Sequence, residues 1–463
     1  MPGGGKPEEM SGGGPGEDEG VTADVPLIDL DVAGQRAAGD GSRRRPRLGS
    51  VRSLLVAAVA VLALAVLGPA APPAPQMRLV LSAGGTAAAA FTLGADALYT
   101  ASYGVSNPNS ESGVRRFDLR GGGLRWAASV PQNVQNLVAE DSAGVLMARS
   151  GSDPRITFLD IRTGAVLWRS QQADTSVLAL TPRGALIVTD VPGATRLRLA
   201  DARTGRTVWE RTLDERVSFG PDDLWSGAAA RIVVISLAGR VLTLDLATGA
   251  VLGRGDLGVR LRRAETLDGD SASAATVGDD RLVLRRRVDG RNSLAAYSLT
   301  PFARLWERVD GAAGFAADCG PLWCVSRQGG DFSTAGGPDD AGVEAVDPGD
   351  GRLRWRAPGL AFAARLGSLV IAGDVQEEPE ISVLDPATGR VVRRLGRMIW
   401  IDDLLLHADT VARTTWVGRL DPADGSWRVL GRVDSGAAYG CERRDAYLAC
   451  PTLAGPTRVW RLP

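Results

Sequence analysis

One lysine, Lys6, and one histidine, His407, are all this 463-residue chain has of either residue. A single histidine rules out metal sites built on histidine pairs. His407 ends the apolar run Leu404-Leu405-Leu406-His407 and reads as a strand-end residue. No Gly-x-Ser-x-Gly elbow offers a nucleophile. There are four cysteines and no adjacent cysteine pair. Net charge is −1, with the arginines spread along the chain, which argues against a general nucleic-acid binder. Aromatic residues make up 5% of the chain, yet 11 of them are tryptophan, and glycine is abundant at 58.

The tryptophans sit in a repeat. Leu159-Asp160-Ile161-Arg162-Thr163-Gly164-Ala165-Val166-Leu167-Trp168 reads as Asp-x-x-Thr-Gly followed by an apolar run ending in Trp. Copies follow in order. Asp118 leads to Gly121 and Trp126, and Asp201 to Gly205 and Trp209. Asp245 leads to Gly249, with Gly253 in the Trp place. Ser298 replaces Asp ahead of Trp306. Asp347 leads to Gly351 and Trp355, and Asp385 to Gly389 without a Trp. Asp421 leads to Gly425, with Trp427 two residues early. The spacing is that of four-stranded propeller blades, about 40–45 residues. Each copy has apolar, β-branched-rich runs on both sides of a Gly turn, which is a hairpin pattern. Asp caps the turn by accepting from amides beyond it, Gly supplies a positive φ, and Trp packs between units. These residues therefore read as structural.

Ahead of the repeats the chain changes character. Residues 1–50, with Gly3-Gly4-Gly5, Gly12-Gly13-Gly14 and Glu17-Asp18-Glu19, have the composition of a disordered tail, broken by the apolar island Val25 to Leu30. Arg43-Arg44-Arg45, Arg47 and Arg52 then form a basic cluster, and no residue from Ser53 to Gln76 is charged. Residues 51–71 are expected to be a transmembrane signal anchor and 72–76 a linker. A cleaved signal peptide is the alternative, with a very long charged region before it. Arginines before the span and none just after it place the N-terminus in the cytoplasm and residues 77–463 outside. The expected localisation is a single-pass cell-membrane protein. No cysteine near Leu67 offers a lipid-attachment site. Cys319 with Cys324 and Cys441 with Cys450 fit two short hairpin staples, one at each of two equivalent first-to-second-strand turns, in an oxidising compartment.

Tiling each unit as strands A to D leaves the last unit one strand short after Thr457-Arg458-Val459-Trp460-Arg461. Met77-Arg78-Leu79-Val80-Leu81 is placed to supply that strand and close a ring. Counted literally, there are eight motif units and one composite. The expectation is an all-β, eight-bladed β-propeller, correct to within one blade, with a weak unit around Ser298 or Asp421 merged or irregular.

The Asp-x-x-Thr-Gly-x-x-x-Trp repeat resembles the pyrroloquinoline-quinone (PQQ)-like repeat family over about residues 77–463. That family includes quinoprotein dehydrogenases and the eight-bladed assembly lipoprotein BamB. The resemblance implies the fold. Dehydrogenases of the family imply an adjacent-cysteine disulfide, a calcium held by Glu, Asn and Asp, and a base carboxylate. This sequence has no such cysteine pair and no long insertions for that site, so the non-enzymatic branch is expected, with no cofactor.

Function is then expected in loops. Three connections between strands B and C are long and polar: Tyr103 to Ser112 with Asn107, Asn109 and Glu111; Arg327 to Asp340 with Asp331, Asp339 and Asp340; and Asp374 to Glu380 with Glu377 and Glu378. Variable loops gathered on one face of a rigid scaffold are the usual place for binding. The expected role is a scaffold for an envelope protein or polysaccharide, with no nucleic-acid partner. A PQQ-dependent oxidoreductase and an extracellular sensor module are the alternatives.

Overall fold

The computed structural model describes residues 76–463, apart from 84–87, 103–111, 131–132, 151–154, 171–174, 216, 220–229, 262–274, 279, 289–290, 310–315, 328–341, 375–378, 410, 434–439 and 453–454. The expected tail (1–50) and signal anchor (51–71) lie outside the described residues. Among the described residues no helix is long and apolar enough to cross a membrane.

Nine four-stranded antiparallel sheets make up the compact unit Pro73–Pro463. Eight are consecutive meanders, strands A to D, over residues 88–130, 134–170, 175–213, 217–256, 275–309, 316–358, 362–397 and 399–433; these are blades 1 to 8. Blade 9 is composite. Its strands A (Glu442–Arg444), B (Tyr447–Cys450) and C (Thr457–Arg461) come from the C-terminal end. Its outer strand D is Arg78–Ala83, which pairs antiparallel with strand C through Arg78↔Arg461 and Ala83↔Thr457. The expected closure by the two ends of the propeller is therefore formed.

The expected count of eight is corrected to nine, because neither weak unit is merged. The Ser298 unit is a full sheet in which Ser298 pairs with Ala303 and its hydroxyl donates to the Pro301 carbonyl (2.6 Å), around a cis Thr300–Pro301 bond. The Asp421 unit keeps the regular turn, with Gly425 N–H donating to Asp421 O at 2.9 Å. Literal counting of anchors gives the observed number.

The core is divided among the joints. There are nine clusters of buried side chains, and each is shared by two successive blades, including the pair formed by blades 9 and 1. Inner strands carry runs of buried residues, as in Ile156–Asp160 and Leu369–Gly373, whereas D strands alternate or are exposed. A repeat architecture of this kind grows without enlarging any one core.

Candidate binding faces

The motif turns are closed systems. In blade 2 the Asp160 carboxylate accepts from Arg162 N (2.9 Å), Thr163 N (3.0 Å) and Thr163 Oγ1 (3.2 Å). Thr163 Oγ1 in turn accepts from Ala165 N, and Gly164 N donates to Asp160 O at a φ of 74°. Asp201, Asp245 and Asp385 repeat the arrangement with Thr204, Thr248 and Thr388. In blade 1 the turn glycine is Gly122 (φ 68°), not Gly121, because the fourth residue after the Asp occupies the left-handed position. Several of these aspartates are held below the ordinary carboxylate range. Asp118 is lowered to about 2 by the Arg125 guanidinium and the Arg120 and Gly121 amides. Asp160 is lowered even though burial opposes it, through Arg203 and the turn amides.

Each motif also reaches the next blade. The indole N–H of Trp126 donates to Ile161 O (3.0 Å), that of Trp168 to Ala202 O (2.8 Å) and that of Trp209 to Leu246 O (2.9 Å). Trp306 and Trp355 donate likewise to Pro348 O and Pro386 O. Each ring lies against the following turn glycine: Gly164, Gly205, Gly249, Gly351 and Gly389, respectively. Each hydrogen-bonded indole has used its one donor, and one oxygen of each motif carboxylate is occupied by its own turn.

Where Trp is absent, something else packs. At the joint of blades 4 and 5, Gly253 takes the Trp place and the facing turn has no glycine. Here Phe302 of blade 5 reaches back over Gly255 of blade 4 and stacks on Tyr297, with centroids 5.3 Å apart. Between blades 7 and 8 the Trp position is Arg393, and Gly425 lies on Val383. Trp427, two residues early, folds over Gly418 of its own blade, and its Nε1 has no acceptor among the described residues.

The A–B turns share the C–D end of the blades and are tied by ion pairs. Arg231 of blade 4 meets Asp280 of blade 5 (2.6 Å), and Arg443 of blade 9 meets Asp403 of blade 8 (2.5 Å). Sequence reasoning missed the largest such group. Glu442 of blade 9 accepts from Thr92 Oγ1 (2.9 Å) and Leu93 N (3.1 Å) of blade 1. Two residues on, Arg444 donates to the carbonyls of Leu93 and Ala139 and pairs with Asp141 of blade 2 at 2.7 Å. Burial raises the Glu442 carboxyl above its ordinary range, with the Leu93 and Thr92 bonds and Arg444 opposing. Three charges in a row, Glu442-Arg443-Arg444, on an inner strand were the available signal.

The expected disulfides are present, but not at equivalent positions. Cys319–Cys324 lies at the A–B turn of blade 6. Cys441–Cys450 closes the opposite, open end of the A–B hairpin of blade 9, where Glu442 pairs with Ala449. Either placement satisfies the short spacing, so the spacing alone did not distinguish them.

The opposite end of the blades carries the B–C and D–A connections. The expected binding residues Asn107, Asn109, Glu111, Asp331, Asp339, Asp340, Glu377 and Glu378 lie outside the described residues. The strands flanking them are B and C of blades 1, 6 and 7, as expected. Length variation is broader than expected. The connection between Asp256 and Ala275 is D–A, on this same face, and that between Phe219 and Arg231 is A–B, on the other. Among the described residues no three His, Cys, Asp or Glu side chains converge to hold a metal ion.

A family model described as "Outer membrane protein assembly factor BamB" matches residues 110–355, just over half of the chain. The chain belongs to this PQQ-like, BamB-type propeller family. No curated protein matches it. Among solved structures, one of a eukaryotic initiation factor is similar at 12% identity, covering 75% of this chain and 91% of its own, with a TM-score of 0.51. BamB from Moraxella catarrhalis is similar at 16% identity over 80% of this chain and 93% of its own, with a TM-score of 0.43. Quinohemoprotein alcohol dehydrogenase from Comamonas testosteroni is similar at 12% identity over 84% and 76%, with a TM-score of 0.39. Likeness at these identities speaks to the fold alone.

Proposed function

We propose that this BamB-type propeller is a membrane-anchored, extracytoplasmic scaffold that binds an envelope protein or polysaccharide through the loops on its B–C and D–A face, and that it is not an enzyme. The observation that carries this reading is the asymmetry between the two ends of the blades. At the A–B and C–D end, motif carboxylates, indole N–H groups and inter-blade arginines are bonded within the chain. At the other end, long polar connections leave a rigid ring, the arrangement in which such scaffolds carry recognition. Two disulfides support an oxidising compartment. The uncharged stretch from Ser53 to Gln76 supports the anchor, and an assembly-factor family supports partner binding over chemistry.

The test is cross-linking in the native envelope, comparing the intact chain with one in which 328–341 and 375–378 are replaced by short Gly-Ser turns. Partners that disappear with the loops support the reading. An unchanged partner set refutes the loop assignment. A quinone-type absorbance on the purified full chain, with substrate-dependent bleaching, would instead establish the oxidoreductase.

A further inference from the structure

We propose that the outer edge of blades 7 to 9 is a docking surface for anionic lipid headgroups, so that the propeller rests on the membrane by its rim. This rests on the membrane-anchor reading above.

The polypeptide enters the propeller at that rim. Gln76, the first described residue, donates its N–H to Leu430 O (2.8 Å) in strand D of blade 8 (Trp427–Val433). Met77 covers Gly431 of the same strand, and Arg78–Ala83 then forms the outermost strand of blade 9. Whatever precedes residue 76 therefore joins the ring beside these D strands. A short tether to a bilayer would bring this arc, rather than either loop face, to the headgroups.

Charge on the arc suits that neighbour. Strand D of blade 7, Val391–Arg397, has the sequence Val-Val-Arg-Arg-Leu-Gly-Arg and is exposed almost throughout. Strand D of blade 8 contributes exposed Arg428 and Arg432, and strand D of blade 9 exposed Arg78 and Leu79. None of the three strands contains an acidic residue. Arg394, Arg397, Arg428 and Arg432 have no ion-pair partner among the described residues. Elsewhere D-strand arginines are mostly engaged: Arg125 with Asp118, Arg304 with Glu307 (2.9 Å), Arg308 with Glu344 (3.2 Å), Arg354 with Asp347 (2.6 Å) and Arg211 with the Gly249 carbonyl. Arg393 occupies the place where five other blades put the joint-sealing Trp, so the repeat gives up packing here and gains a cation. Val391 and Val392, 45% and 52% exposed, add apolar surface beside the cations. Clustered arginines next to a membrane anchor are attracted by an anionic surface within a Debye length.

Guarding an open sheet edge against pairing also favours charge. Single arginines with no ion-pair partner among the described residues, such as Arg169 and Arg254, suffice for that purpose on other blades. The cluster beside the incoming chain is the excess to be explained.

The full chain, carrying a fluorophore at Val392→Cys or, as a control on the far rim, at the equally exposed Val208→Cys, is reconstituted in nanodiscs. Two lipid compositions are compared: phosphatidylcholine alone, and phosphatidylcholine doped with phosphatidylglycerol. Quenching by headgroup-nitroxide lipid is the readout. The expected result is strong quenching at 392 in the anionic discs. It should be several-fold weaker at 208, in neutral discs, at high salt, and in an R394Q/R397Q/R428Q/R432Q variant. Equal quenching at both positions, or quenching at 392 indifferent to lipid charge and to the arginines, overturns the proposal. So does binding of soluble polyphosphate by these arginines without any quenching. Failure of the chain to stay in the discs after an alkaline wash identifies failure of the anchor reading instead.

Discussion

Trp209 and Gly249 belong to successive blades and pack directly on each other: the indole lies where a Cβ at 249 would stand, 2.6 Å from ring atom Cδ2. The same Trp donates its N–H to Leu246 O, inside the turn that Gly249 completes at a φ of 68°. Asp-x-x-Thr-Gly-x-x-x-Trp is therefore two half-sites. The turn of one blade receives the indole of the blade before it.

Trp209→Ala is expected to destabilise the propeller by about 3–5 kcal/mol, the usual cost of truncating a large buried aromatic. Gly249→Ala is expected to be harmful at the same joint, since both the φ and the ring oppose a methyl group. Denaturant unfolding checks the size. Hydrogen exchange checks the place: loosening is expected in blades 3 and 4 before the rest. Unchanged unfolding in both variants would mean that the joint does not depend on this contact.

Much of the ring was readable from this motif, and the joints that were not are the ones without it. Asp118 to Asp421 mark every C–D turn of blades 1 to 8 except Ser298, and the closing strand expected over Met77–Leu81 is formed by Arg78–Ala83. The expected count of eight is one short because the motif is weak around Ser298 and Asp421, which suggests a merged unit. Both instead mark blades that solve their joints differently. Phe302 packs backward onto Gly255, and blade 9 is tied to its neighbours by Arg443 and Arg444, with Trp460 of its strand C, rather than a motif indole, buried in the joint with blade 8. The closure contacts of Glu442 and Arg444 join the two ends of the ring, 350 positions apart for Thr92 and Glu442, and no local spacing announces them. The expected binding residues are side chains of irregular loops, whose composition suggests polarity but not what they face.

Cys441–Cys450 staples the hairpin whose inner strand, Glu442–Arg444, is only three residues long and carries the contacts to blades 8, 1 and 2. A Cys441→Ser/Cys450→Ser variant is expected to lose about 2–3 kcal/mol on the chain-entropy model. Exchange should accelerate first in residues 442–461 and in Arg78–Ala83. Cys319–Cys324 lies within a blade whose joint has Trp306, so Cys319→Ser/Cys324→Ser should lower the melting temperature less. The reverse order in calorimetry would refute the greater dependence of blade 9 on its disulfide.

Asp118 offers an acid-side test. Its folded pKa, about 2, lies below the ordinary aspartate value, so its carboxylate contributes stability above that ordinary value. The contribution fades as pH falls toward 2. Asp118→Asn should melt a few degrees below the parent at pH 7, and the gap should close as both are titrated from pH 4 to 2. A gap independent of pH would show that ionisation of Asp118 is not what stabilises the turn.

Glu442 predicts the opposite slope. Burial raises its folded pKa, so the protonated form is the one favoured by folding, and the group's contribution declines as pH rises from the ordinary glutamate value through the raised one. Glu442→Gln keeps an oxygen that can accept from Leu93 N–H and Thr92 Oγ1–H while removing the buried charge. The variant is expected to be at least as stable as the parent at pH 7 and to lose the part of the pH dependence that lies above the glutamate value. Melting curves of both proteins from pH 4 to 8 give the answer. If the glutamine variant instead falls further below the parent as pH rises, the ionised carboxylate paired through Arg444 is stabilising. The closure of blade 9 onto blades 1 and 2 would then be held by charge rather than by neutral hydrogen bonds.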